Sequence, residues 1–349
     1  MNFFRLNIFI IMLISFVITS ESNSFYNRSE NSRINLLNSN ISSTVIEIEV
    51  DDYKLNEVFI NNSLFYNVSI DGGTPILEKG APDLHKLTTS VIVPDYSEMK
   101  VDIIDFDYIE VKNIDIAPSK GNLFRDVDPS TIPYSFSETY NENKFYPSDI
   151  VSLGEPYILR DVRGQGVIIK PIQYNPVTKT LRIYNRILIN IVEDNNNKLN
   201  RNVYSRSLVG NKTTADYKQI YSNLFINYNS DTRFDYIDDQ GSMLIISFDD
   251  FIDEMEEFVT WKNKKGISTE IVGVNEIGNS VSQIQEYVAN YYYENNLSYL
   301  LLVGDVAQIP TPIINGASAD PSYGFIEGDD SFAEIIVGRF SANNPGELQ

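Results

Sequence analysis

Hydrophobic and polar residues alternate with a period of two through the first half of the chain. Residues 44 to 50 read Thr-Val-Ile-Glu-Ile-Glu-Val, and the same rhythm returns over 101–111 and 166–172. The run 181–192 carries it again and reads as a further pair of short strands. Such alternation places one face of a strand in a core and the other in water. Turn-forming residues separate the runs at Asp71-Gly-Gly73, Gly80-Ala-Pro82, Val93-Pro-Asp95 and Asn175-Pro-Val-Thr178. Many short strands with no helical period between them predict an antiparallel β-sandwich domain over 44–200.

The polar run Glu193 to Asn200 closes this region, and 201–240 reads as a linker with a short helix within Tyr217 to Tyr228. From Met243 the pattern changes. Met243 to Ser247 is a continuous apolar strand, and 248–264 carries apolar residues at 251, 252, 255, 258 and 259, the spacing of a one-faced helix. Acidic residues crowd the start of that helix and lysines its end, as the helix dipole favours, and Gly266 stops it. Further strands are expected at 267–274, 300–303 and 334–338, a second helix at 281–293, and the first turn of another at 345–349. Strands alternating with helices predict right-handed crossovers and a parallel sheet, here in an α/β domain spanning 241–349 and cut off as its last helix begins. In such a sheet, Gly304-Asp305 and the carboxylate-rich loop after it are expected at the carboxyl edge, where open α/β sheets present polar chemistry.

The amino terminus reads as a secretory signal over 1–22. Arg5 supplies the positive charge, Ile8 to Ile18 the apolar core, and Ser20 and Ser22 small cleavage positions. The run is short for a membrane span. The asparagine-rich stretch 23–43 reads as a loose polar leader. With 349 residues, 42% hydrophobic and 12% aromatic, the chain can bury two cores. A net charge of -21 argues against nucleic acid as a partner. The absence of cysteine removes disulfides, thiolate metal sites and a cysteine nucleophile from these residues. His85, the one histidine, is expected to be a surface or packing residue. Trp261 and Tyr291 to Tyr293 are expected in core or rim packing, and Gly164-Gln-Gly166 in a turn.

Several motifs, taken in order and spacing, resemble the gingipain-type cysteine peptidases. In the second half they are 253–266 with its Trp261-Lys-Asn-Lys-Lys-Gly266, Leu300 to Asp305, Ile309-Pro310, Ala319 to Gly324, and Gly328 to Ser341. In the first half, Gly72-Gly-Thr-Pro75, Gly80 to Leu84, Val93-Pro94, Tyr146-Pro147 and Gly164-Gln-Gly166 are similar to that family's propeptide. The resemblance implies a β-sandwich propeptide that packs on its own catalytic domain and holds it latent. It also implies a caspase-like catalytic domain that cleaves protein substrates after basic residues in its best-known members. The family's catalytic histidine and cysteine come after the Gly338-Arg-Phe340 strand. This chain is therefore expected to be the amino-terminal part of a secreted or cell-surface zymogen, inactive alone and marginally stable after residue 243. The resemblance further implies processing at Arg233. It implies calcium at Asp305, and a second calcium at Glu327, Asp330, Glu334 and the backbone carbonyl of Phe332; the carboxylate at Glu327 departs from the family pattern. Calcium takes about six to eight oxygen ligands, mixing carboxylates and carbonyls. From the residues alone, the competing expectation is a non-catalytic secreted module that binds a partner or inhibits a peptidase.

Overall fold

The computed structural model describes residues 32–40, 42–196, 200–204, 213–228 and 240–348. The expected signal, the leader up to residue 31 and the Arg233 processing position lie outside the described residues. Eleven strands make up the first module. They are β1 (Ser32–Asn40), β2 (Ser43–Val50), β3 (Lys54–Ile60), β4 (Ser63–Ser69), β5 (Thr74–Pro75) and β6 (His85–Ile92), followed by β7 (Met99–Lys112), β8 (Val151–Leu159), β9 (Val162–Ile169), β10 (Ile172–Asn175) and β11 (Thr180–Glu193). One antiparallel sheet runs β1-β2-β11-β10, with β7 on the other flank of β11. A second antiparallel sheet runs β5-β6-β9-β8.

The two sheets share one apolar core. Along β2 every second residue is buried, and its register sets Ile46 opposite Ile189 and Ile48 opposite Ile187. These side chains join the same cluster as Leu87 and Val91 of β6 and Val167 and Ile169 of β9. Each such side chain contributes about 1.5–3 kcal/mol by leaving water.

Three expectations change here. Residues 32–40 of the presumed leader form β1, which pairs along the edge of β2 from Ser32↔Val50 to Asn40↔Ser43. An edge strand gains its main-chain hydrogen bonds while burying little side chain, and the few apolar residues of this one, Ile34, Leu36 and Leu37, make a short signal among asparagines and serines. The run 181–192 is one strand rather than two; its first half pairs with β10, its second with β2, and β7 lines its other side throughout. Gly164-Gln-Gly166 lies within β9 rather than in a turn. A Cβ at Gly164 would come 2.6 Å from Phe225 Cε1 and 2.7 Å from Tyr157 Cε2, so glycine there lets aromatic rings lie against the strand.

Helix α1 (Ala215–Leu224), capped by the Thr214 hydroxyl, lies on the outside of this module. Its Tyr217 and Tyr221, with Phe225 just after it, pack against Tyr157 and Leu159 of β8.

The second module comprises β12 (Ser242–Ser247), α2 (Glu256–Lys264), β13 (Ser268–Gly273), α3 (Val274–Ile277), α4 (Val281–Asn295), β14 (Leu297–Val303), a small ladder of β15 (Ile313–Ile314) with β16 (Ala317–Ser318), and β17 (Ile336–Phe340). Two 3-10 turns, Asp249–Phe251 and Asp253–Met255, occupy the start of the expected first helix. The sheet is fully parallel in the order β13-β12-β14-β17. Leu244, Ile246, Leu300 and Leu302 face α4 through Ile284, Val288 and Tyr292, while Met243, Ile245, Leu301 and Val303 face Phe251 and Met255. Burial on both faces is why these strands are continuously apolar. Ile336 and Phe340 on the flanking strand β17 are 42% and 41% exposed. Trp261 on α2 and Tyr293 on α4 lie at the rim and Tyr292 in the core. His85 is half-buried on β6, where burial lowers its basicity.

Candidate functional site: an acidic loop under the β8–β9 hairpin

In a parallel sheet the chain must return to the amino end of the sheet before each new strand. The acidic residues between the 3-10 turn Asp320–Gly324 and β17 therefore lie beside the start of β14, whereas Asp305 follows its end. The expected carboxyl-edge position holds for Asp305 alone. There the Asp305 carboxylate accepts from Val306 N at 2.8 Å and Ser341 Oγ at 3.3 Å. Nearby, Arg339 of β17 forks onto Asp320 with two 2.7 Å contacts and donates to the carbonyls of Gly304 and Ile309 at 2.9 and 3.0 Å. That guanidinium ties the turn after β14 to the loop before β17.

The acidic loop is built around Gly328 at φ +76°, where a Cβ would come 2.7 Å from Asp330 Oδ2 and 3.3 Å from Ile158 Cδ1. Glycine thus permits both the left-handed turn and the close approach of the first module. Asp330 Oδ1 accepts from Phe332 N at 2.9 Å, and its Oδ2 accepts from Ile158 N of β8 at 2.8 Å. The Phe332 ring stacks on Tyr157, centroids 3.7 Å apart and planes 8° from parallel. Asp329 N donates to Asn202 Oδ1 at 2.9 Å.

Glu334 is fully buried. Its Oε2 accepts from Ile326 N at 2.8 Å and Glu327 N at 3.0 Å, and its Oε1 from Arg160 N at 3.5 Å. Burial outweighs those donors and pushes its carboxyl up to about 7. Burial also raises Asp330 and Glu327, the latter hydrogen-bonded with Tyr293.

Above this loop sits the turn between β8 and β9. Arg160 occupies it at φ +56° and is fully buried. Its guanidinium donates to Leu297 O at 2.7 Å, Glu334 O at 3.1 Å and Asn296 Oδ1 at 2.7 Å, between the rings of Tyr217 and Tyr292. The neighbouring Asp161 is held back to its own module by Tyr221 and Thr213. A second buried arginine, Arg163, donates to the carbonyls of Pro94, Ser97, Arg201 and Asn202, which sets Asn202 against the loop.

The structure thus gathers Glu327, Asp330, Phe332 and Glu334 in one loop and sets Asp305 at the opposite end of β14. Their hard oxygen donors suit calcium by type. The Asp330 and Glu334 carboxylates already accept backbone N–H groups, and among the described residues no three His, Cys, Asp or Glu side chains gather as metal ligands. Arg160, Arg163, Asn296 and Tyr157 escaped the reading of the sequence. Each is unremarkable locally and acquires its role only through a partner far along the chain.

Residues 24–225 match the C25 propeptide family model, and residues 236–349 match peptidase family C25. The chain is 37% identical over 328 residues to gingipain R2 of Porphyromonas gingivalis (strain ATCC BAA-308 / W83), covering 92% of this chain and 44% of that protein. It is 24% identical over 323 residues to Lys-gingipain HG66 of Porphyromonas gingivalis, covering 85% of this chain and 18% of that protein. It therefore spans less than half the length of these relatives. Among solved structures, a complex of Porphyromonas gingivalis RgpB pro- and mature domains is similar with a TM-score of 0.51 and 37% identity, over 56% of this chain and 98% of that one. The chain belongs to peptidase family C25, the gingipain-type cysteine peptidases, and joins that family's propeptide to part of its peptidase domain.

Proposed function

We propose that this chain is the amino-terminal section of a secreted, latent gingipain-like cysteine endopeptidase. Its first module is a β-sandwich propeptide, and its second is part of a caspase-like domain that hydrolyses peptide bonds in protein substrates. The observation that carries this reading is the crossing of the β8–β9 hairpin. Tyr157, Ile158 and Arg160 of the first module engage Phe332, Asp330, Glu334, Asn296 and Leu297 of the second. The chain contains no cysteine, so the attacking thiolate is not among these residues. In this proposal the nucleophile and its histidine belong to sequence that follows the Gly338-Arg-Phe340 strand in the family. Purified chain assayed under reducing conditions on peptides with arginine or lysine before the scissile bond is expected to show no hydrolysis. Thiol-dependent cleavage by this chain alone would overturn the reading.

Export is supported by Arg5 and the apolar run Ile8 to Ile18, and sequencing the amino terminus of secreted product tests it. No helix among the described residues is long and apolar enough to cross a membrane. Arg233 is the proposed processing residue, and Asp305 with the 327–334 loop the proposed calcium-binding positions, supported by their oxygen donors.

A further inference from the structure

We propose that Arg160 is the latch of the propeptide, and that the notch it fills on the peptidase module is a guanidinium-binding site. This rests on the latency reading above. The turn at φ +56° directs a long cationic side chain out of its own module, while Tyr221 and Thr213 hold the adjacent Asp161 in place. Arg160 then crosses without the neighbouring carboxylate, and it is fully buried.

The notch is assembled from two places in the second module, the α4–β14 junction and the acidic loop. Asn296, in the left-handed conformation that ends α4, offers Oδ1 at 2.7 Å; the first residue of β14 offers Leu297 O at 2.7 Å; and the base of the acidic loop offers Glu334 O at 3.1 Å. All three acceptors are neutral. The carboxyl end of α4 adds the negative pole of a helix dipole, and Tyr292 presents its ring 5.6 Å from the guanidinium carbon. Nη1 takes two acceptors and Nη2 one, a spread that a planar fork can satisfy and a single ammonium on a flexible stem cannot reproduce. Because two of the three acceptors are main-chain carbonyls, the notch recognises the guanidinium group itself.

The test uses the full chain with a specific protease sequence inserted between Tyr228 and Gln240, cut after folding, and the affinity of the two halves measured by surface plasmon resonance. The unsubstituted halves are expected to stay together; if they separate, the latency reading fails. Arg160→Met is expected to weaken their association by about thirtyfold to a thousandfold, with Arg160→Lys recovering only part of it. Asn296→Gly removes one acceptor while tolerating the left-handed backbone, and should weaken the unsubstituted pair but not the Arg160→Met pair. N-ethylguanidinium should speed dissociation of the unsubstituted halves where N-ethylammonium at equal concentration does not. Unchanged affinity in Arg160→Met halves that still associate would overturn the latch and leave latency standing. Equal effects of the two cations would overturn the guanidinium site.

Discussion

The phenyl ring of Phe332 lies flat on the ring of Tyr157, 3.7 Å between centroids, and so joins the acidic loop of the peptidase module to strand β8 of the propeptide. Stacked aromatic pairs contribute about 0.5–1.5 kcal/mol beyond the area they bury. Phe332→Ala should weaken association of the cut halves by roughly tenfold, with a smaller loss for Phe332→Tyr, which keeps the ring. A loss in Phe332→Tyr as large as in Phe332→Ala would show that the ring contact is not the source.

Gly328 offers a controlled comparison with Gly266. Both have positive φ, +76° and +87°, but a Cβ at Gly266 meets nothing within 4 Å, whereas one at Gly328 would run into Asp330 and Ile158. Gly266→Ala should cost only the left-handed strain, about 1 kcal/mol by chemical denaturation. Gly328→Ala should cost more and also raise hydrogen exchange at Ile158 N. Equal costs at the two sites would contradict the close approach.

Acid stability should depend on Asp320. The Arg339 guanidinium holds its carboxyl below the usual range, so the folded chain binds this proton less readily than the unfolded chain. The stabilisation is therefore present above the unfolded value near 3.8 and is lost as pH falls through the lower folded value. Asp320→Asn should flatten the stability profile below about pH 4. Arg339→Met, which leaves the Gly304 and Ile309 carbonyls without their donor, should cost about 3 kcal/mol at neutral pH. An Asp320→Asn chain with the unsubstituted acid profile would rule out this pair as the cause.

Calcium binding makes its own prediction. Titration of purified chain with calcium should show binding by calorimetry and a rise in melting temperature, both reversed by chelator. Asp330→Asn should lower the affinity without unfolding the chain. No heat and no thermal shift at millimolar calcium would remove Asp305 and the 327–334 loop from consideration as ion sites.

Much of the architecture is written in local periodicity. The alternation in β2 appears in the fold as a strand with every second side chain buried, because a half-buried strand needs that spacing and nothing else about its surroundings. The unbroken apolar runs of β12 and β14 became the centre of a parallel sheet covered on both faces. The motifs of both halves, from Gly72-Gly-Thr-Pro75 to Gly328–Ser341, placed the chain in its family when taken together in order and spacing.

What periodicity could not carry is juxtaposition. β1 is mostly polar, with Ile34, Leu36 and Leu37 its three apolar residues, and it pairs along the edge of β2. The acidic loop could be read as carboxylate-rich, yet its place at the amino end of β14 follows from the parallel entry of β17. Arg160 shows the division most plainly. In sequence it is one arginine in a turn, and its burial against Asn296, Leu297 and Glu334 depends on two modules meeting across well over a hundred residues of chain. Local patterns determine which elements form; a buried cation needs partners that only the assembled molecule brings within hydrogen-bonding distance.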